Sequence, residues 1–81
     1  MNVKKARIKE DTQLEIYLIG EGGADFLSEH IFHANERLLY VDGKVFGRLC
    51  DIMSAEQLSE WGYHGQEMWL AEIDENDFIA E

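Results

Sequence analysis

Apolar and polar positions alternate along much of this 81-residue chain, and changes in the period mark out its elements. In "LEIYLI", Leu14, Ile16 and Leu18 alternate with Glu15, Tyr17 and Ile19, a period of two that predicts a strand. "RLLYVDGKVFGRLC" sets two β-rich runs around Asp42-Gly43, a pair that tolerates the positive φ angles of a type I′ turn. Such a turn places Val41 opposite Lys44, Tyr40 opposite Val45 and Leu39 opposite Phe46. "MSAEQLSEWGY" predicts a short helix with both ends specified. Ser54 and Gln57 form a capping box, and Met53 can staple onto Leu58. Gly62 supplies a left-handed exit that lets Tyr63 fold back on Leu58. "EMWLAEI" predicts a last strand with Trp69, Ala71 and Ile73 on one face and Met68 and Leu70 on the other. Both faces are partly apolar, which places that strand inside a sheet or under a helix.

Two periods compete in "GADFLSEHIFHANE". Leu27, Ile31 and Ala34 have helical spacing, yet Leu27 to His33 also reads as a strand. The Gly-rich start and Asp25 suit a helix N-terminus and favour a helix over residues 24–35. With a further strand at residues 3–9, the order is β-α-β-β-α-β, that of split βαβ folds. The expected class is α+β: one small domain, residues 1–81, with an antiparallel sheet of three to five strands and one or two short helices. Residues 74–81 are expected to form a frayed acidic tail.

Charge adds a second pattern. Seventeen Asp and Glu against seven Lys and Arg give a net charge of −10, while 46% of the residues are hydrophobic, enough for a globular core. Free nucleic acid and anionic lipid are repelled by such a surface, and basic proteins are attracted. Lys4, Lys5, Arg7 and Lys9 crowd the N-terminus, whereas the 33 residues after Arg48 hold nine carboxylates and no cation. The surface is therefore expected to be dipolar unless the fold brings the ends together, in which case the N-terminal strand screens part of the acidic tail. A lone cysteine, Cys50, fits a reducing compartment. The charged N-terminus lacks a secretion signal and no stretch approaches the ~20 apolar residues of a membrane span, so the expected location is the cytoplasm.

Candidate chemistry is sparse. His30 and His33, with Glu29 and Glu36 nearby, would share a helix face, but the spacing is not H-E-x-x-H, and Cys50 and His64 are distant, so no metal is expected. "GEGGAD" resembles a phosphate loop only in its glycines, because Glu21 and Asp25 would repel the anion. Anionic surroundings raise a thiol pKa, so Cys50 reads as a small core residue rather than a nucleophile. Acids are so numerous that a pair such as Asp74 and Asp77 is expected by chance. No catalytic signature and no cofactor are indicated; the chain reads as a non-enzyme.

What remains is the carboxylate display. Strand residues i and i+2 lie ~6.6 Å apart on one face, so Glu72 and Asp74 would repeat at about twice the spacing of phosphates on one DNA strand. Glu60 and Glu67 extend the patch if the helix packs beside the last strand, and Trp61, Tyr63, Trp69 and Phe78 are interleaved with it. Aromatics beside charge are typical of interface hot spots. The expected partner-binding set is Glu60, Glu67, Glu72, Asp74, Glu75, Asp77, Trp61 and Phe78, with Glu10, Glu15 and Glu21 in the N-terminal half expected to matter less.

In size, acidity, single-domain build and lack of a catalytic motif, the chain resembles small acidic inhibitors encoded by phages and mobile elements, such as anti-CRISPR proteins and other DNA mimics. The resemblance covers the whole chain without a shared motif, so no residue carries over; the four N-terminal cations depart from the uniformly acidic pattern. It implies stoichiometric occlusion of a basic nucleic-acid-binding site on a defence complex. The alternatives are an antitoxin or immunity-type protein, or an assembly protein that dimerises through an exposed strand edge and uses its acids for solubility.

Overall fold

The computed structural model describes residues 2–81 and is mostly β. Seven strands form one antiparallel sheet: β1 (Lys4–Ile8), β2 (Thr12–Gly20), β3 (Gly23–Phe32), β4 (Arg37–Val41), β5 (Lys44–Arg48), β6 (Met68–Glu72) and β7 (Phe78–Ala80). A 3₁₀ turn (Leu49–Asp51) and a single short helix, α1 (Ala55–Trp61), lie between β5 and β6. The order across the sheet is β3-β2-β6-β5-β4-β1-β7. Among the described residues the domain is thus α+β as expected, with one short helix within the expected one or two, but with seven strands in place of three to five.

This order forces the sheet to curl. β1 and β2 stand four strand spacings apart, ~19 Å in a flat sheet. Only Lys9, Glu10 and Asp11 join them, and four Cα steps span at most ~14 Å. The curl closes on the loop after β3, where Ile8 donates to the carbonyl of Glu36 (2.9 Å) and Asn35 donates to that of Ile8 (2.8 Å). Ala6, Ile8, Leu14, Ile16, Phe32, Val45, Trp69, Ala71, Ile73 and Phe78 fill the concave side, with Leu49 and Leu58 completing the core from the 3₁₀ turn and α1.

Local chemistry accounts for the elements that were predicted. The β4–β5 hairpin has the expected register, with Asp42 at φ 49° and Gly43 at φ 81°. Ser54 accepts from the Gln57 N–H while the Gln57 side chain accepts from the Ser54 N–H. Gly62 exits in the left-handed region at φ 80°, and Tyr63 donates to the Leu58 carbonyl. β6 lies inside the sheet, with Trp69, Ala71 and Ile73 buried.

The expected helix over residues 24–35 is corrected to strand β3. Ile16 pairs with Ser28 but Tyr17 pairs with Phe26, so Leu27 is the extra residue of a β-bulge. The bulge resets the alternation, and that reset gave Leu27 and Ile31 their helical spacing. The frayed tail is corrected as well. β7 pairs with β1 through Ala80–Ala6, Ile79–Arg7 and Phe78–Ile8, and Glu81 donates its N–H to the Lys5 carbonyl at 2.7 Å. Cys50 is exposed, because on the 3₁₀ turn its neighbour Leu49 takes the core position. Among the described residues no helix is long and apolar enough to cross a membrane.

Candidate functional site

The expected binding residues are distributed over α1, the two ends of β6, the loop that follows it and β7. Glu60 and Trp61 lie on α1, where Trp61 is half exposed. Asp74, Glu75 and Asp77 lie in the loop between β6 and β7, and β6 ends at Glu72, so strand spacing does not extend to Asp74. Asp74 spends an oxygen on the Asn76 N–H at 2.9 Å. Glu67 is committed locally: its carboxylate accepts from the N–H groups of His64 and Gly65 at 2.8–3.2 Å. The His64 N–H foremost holds its pKa below the ordinary carboxylate value. Phe78 is removed from the binding set, being buried and packed on Tyr40 with ring centroids 4.6 Å apart.

A different surface emerges from strand parity. The inward positions are set by the buried residues, so Tyr17, Leu70, Phe46 and Leu39 must point to the convex side. Register joins them into one row: Phe26 opposite Tyr17, Tyr17 opposite Leu70, Leu70 opposite Phe46, Phe46 opposite Leu39, and Leu39 opposite Lys5. Phe26 is 57% and Leu39 40% exposed. Ile19, Ile31, Met68 and Ile79 are exposed large hydrophobics that flank the row. Contiguous exposed apolar bands are common at interaction surfaces.

Charge divides the strands of the sheet into two sets. All seven cations lie on β1, β4 and β5 or, for Lys9, immediately after β1. The adjacent strands β3, β2 and β6 carry Glu15, Asp25, Glu29 and Glu72 and no Lys or Arg. Glu15 stands directly opposite Glu29, an unfavourable like-charge pair. Gln13 relieves part of that repulsion by donating to Glu29. The Tyr17 hydroxyl donates to Glu15 at 2.8 Å, and this hydrogen bond, ahead of desolvation and the charges of Glu15 and Glu72, raises the phenol pKa. Glu15, Tyr17, Ala24, Lys44, Leu70 and Glu72 line one shallow depression. Glu72 faces Lys44 across the β6–β5 boundary, where the sign of the charge changes.

Glu15, expected to matter little, therefore shares a site with Glu72. The residues missed were Glu15, Tyr17, Phe26, Leu39, Phe46 and Glu29. A signal for them was present: Leu39 opposite Phe46, and the second apolar face of "EMWLAEI", already showed hydrophobic side chains on the side away from the core. Among the described residues no cluster of His, Cys, Asp and Glu has the geometry of a metal site; His33 instead contacts Asp11 at 3.5 Å, while His30 packs edge-on against Phe32. The arrangement offers hydrogen-bond acceptors and apolar area, the means of binding. Set against protein families, curated proteins and solved structures, the chain matches none.

Proposed function

We propose that the protein is a non-enzymatic binding protein that docks its outer sheet face onto a basic protein surface. It acts by occupancy, as the acidic anti-CRISPR and DNA-mimic inhibitors do. The observation that carries this reading is the segregation of Glu15, Glu29 and Glu72 beside Tyr17, Phe26 and Leu70. Carboxylates supply steering toward cations, and the desolvated aromatics between them supply affinity. A basic nucleic-acid-binding groove presents the matching chemistry. The second reading, an assembly protein, draws on the continuation of the apolar row into the cationic half at Phe46 and Leu39.

Affinity capture from host lysate tests the first reading. The immobilised protein is expected to retain nucleic-acid-binding proteins that heparin releases. Glu15→Lys/Glu29→Lys/Glu72→Lys should abolish retention with the fold intact, because like charges across an interface cost several kcal/mol, on the order of a hundredfold or more in affinity. Asp74→Lys/Glu75→Lys/Asp77→Lys should leave most of it. Equal loss from both sets would reduce the effect to net charge and overturn the reading.

A further inference from the structure

We infer that the free edge of β3 takes up an extended, Lys- or Arg-bearing segment of the partner as an added strand of the sheet. The inference rests on the reading of the partner as basic and names the part of it that docks. β3 ends the sheet on one side and is ten residues long, whereas β7, which ends it on the other, has three. An edge strand of that length presents a row of unpaired N–H and C=O groups, the template for strand addition. Alternate residues direct these groups outward. Counted from the Gly20–Gly23 pair that closes the two-residue turn, they are Ala24 and Phe26 before the bulge. Gly23 to Phe26 is exposed throughout, and Phe26 and Ile31 are among the exposed large hydrophobics. β3 has no Pro or Lys, the residues that commonly blunt an edge. The bulge at Leu27 interrupts the row but leaves pairing positions on both sides of it.

Charge selects the occupant. The hairpin from Thr12 to Phe32 carries Glu15, Glu21, Asp25 and Glu29 and no Lys or Arg. A second copy is disfavoured at this edge, because two β3 strands side by side would bring together Asp25 and Glu29 of each with no Lys or Arg on either. A cationic segment is attracted by the same carboxylates. The register specifies its pattern. Phe26, Glu29 and Ile31 stand opposite Tyr17, Glu15 and Gln13 on the outer face of the sheet. Asp25, Ser28 and His30 stand opposite Leu18, Ile16 and Leu14 on the inner one, and the bulged Leu27 falls outside the count. An antiparallel segment therefore reads, from the residue facing Ile31 to the one facing Asp25, apolar, neutral, basic, neutral, apolar, basic. Its backbone supplies affinity, Glu29 and Asp25 each receive a cation, and Phe26 and Ile31 take the apolar side chains.

The peptide acetyl-Val-Thr-Lys-Thr-Val-Lys-amide, titrated into the isotope-labelled protein and followed by NMR, tests this. At peptide about ten times its dissociation constant, amide exchange at Ala24 and Phe26 should slow on the order of tenfold. Methylating alternate peptide nitrogens separates backbone pairing from charge, because every side chain and the protein itself stay unchanged. The set that includes the Val facing Phe26 turns toward β3, and its methylation should weaken binding on the order of tenfold or more. The other set faces solvent, and its methylation should have little effect. Equal effects of the two sets, or shifts centred on Tyr17, Leu70 and Phe46, overturn the inference and assign the contact to side chains alone. Exchanging the charges is the second check. Asp25→Lys/Glu29→Lys, its fold verified by circular dichroism, should lose the Lys peptide and gain its Glu counterpart; a variant that still prefers Lys overturns the assigned register. If the variant unfolds, the two methylated peptides decide alone. A wild-type protein that binds no Lys peptide overturns the inference but leaves the lysate capture unaffected.

Discussion

Replacing Phe78 by alanine measures whether the C-terminal strand belongs to the folded core. Phe78 is 8% exposed, tilts against Tyr40 at 4.6 Å and sits on a backbone pair with Ile8, whereas its neighbour Ile79 is 41% exposed on the outer face. Phe→Ala substitutions in cores cost ~3–5 kcal/mol. β7 is an edge strand of three residues, so water can reach the site and the surroundings can relax, which puts the expectation at the lower end, about 3 kcal/mol. A chain of this length has a total stability of only ~4–12 kcal/mol, so the loss is a large fraction of it. The melting temperature should fall by roughly 12–24 °C, at ~4–8 °C per kcal/mol for a domain of this size. Urea unfolding followed by the fluorescence of buried Trp69 gives the free energy directly, with Ile79→Ala as the neighbouring control, expected to cost no more than about 0.5–1 kcal/mol. If Phe78→Ala costs no more than Ile79→Ala, the strand contributes nothing and the tail is frayed after all.

Two further outcomes follow from local geometry. Gly43→Val places a β-branched residue at φ 81° and should destabilise by at least ~1–2 kcal/mol, while Ser54→Ala removes one N-cap bond and should cost ~1 kcal/mol; equal and unchanged midpoints in urea would contradict both assignments. Burial, the leading cause, lowers the His30 pKa below its ordinary value. The unfolded chain then takes up the proton first, so stability falls as pH drops through about 6.5 and levels off below the lower folded value. Melting temperatures recorded between about pH 7 and pH 5 should decline less in His30→Gln than in the wild type, and parallel curves would dismiss the effect.

Elements specified by nearby residues were legible in the sequence. Asp42-Gly43 determines its own hairpin register, and Ser54, Gln57 and Gly62 determine both ends of α1. β3 was legible only as the weaker alternative to a helix, over Leu27 to His33, because the extra residue Leu27 reverses the alternation midway, leaving His30 and Phe32 on the side opposite Phe26. β7 escaped notice for another reason: three residues in an acidic run carry little periodicity, and its partner β1 lies some seventy positions away. Strand order is likewise nonlocal. The acidic character of the surface could be read from composition, but the position of the proposed binding face depends on which strand neighbours β6 on each side. Glu72 was therefore identified without Glu15, although the structure sets both beside Tyr17.

The same topology resolves the imbalance of charge along the chain. The last 33 residues hold nine carboxylates and no cation, yet β7 lies against β1, the strand that begins with Lys4 and Lys5. Glu81 contacts Arg7 at 3.6 Å and Arg37 at 3.0 Å, and the Lys9 N–H reaches the Asp77 carbonyl at 3.0 Å. These exposed pairs add little stability individually, but they match the end of the tail with the cations of β1 and β4. Had β6 joined the sheet beside β7, its Glu72 would have extended that neutralised region. Instead β6 lies between β2 and β5, so Glu72 joins Glu15 and Glu29, with Lys44 opposite it on β5 as a counter-charge. Carboxylates crowded in this way on an apolar face raise the energy of the free protein. On the proposed function, contact with a cationic surface removes that repulsion and so adds to the drive for association.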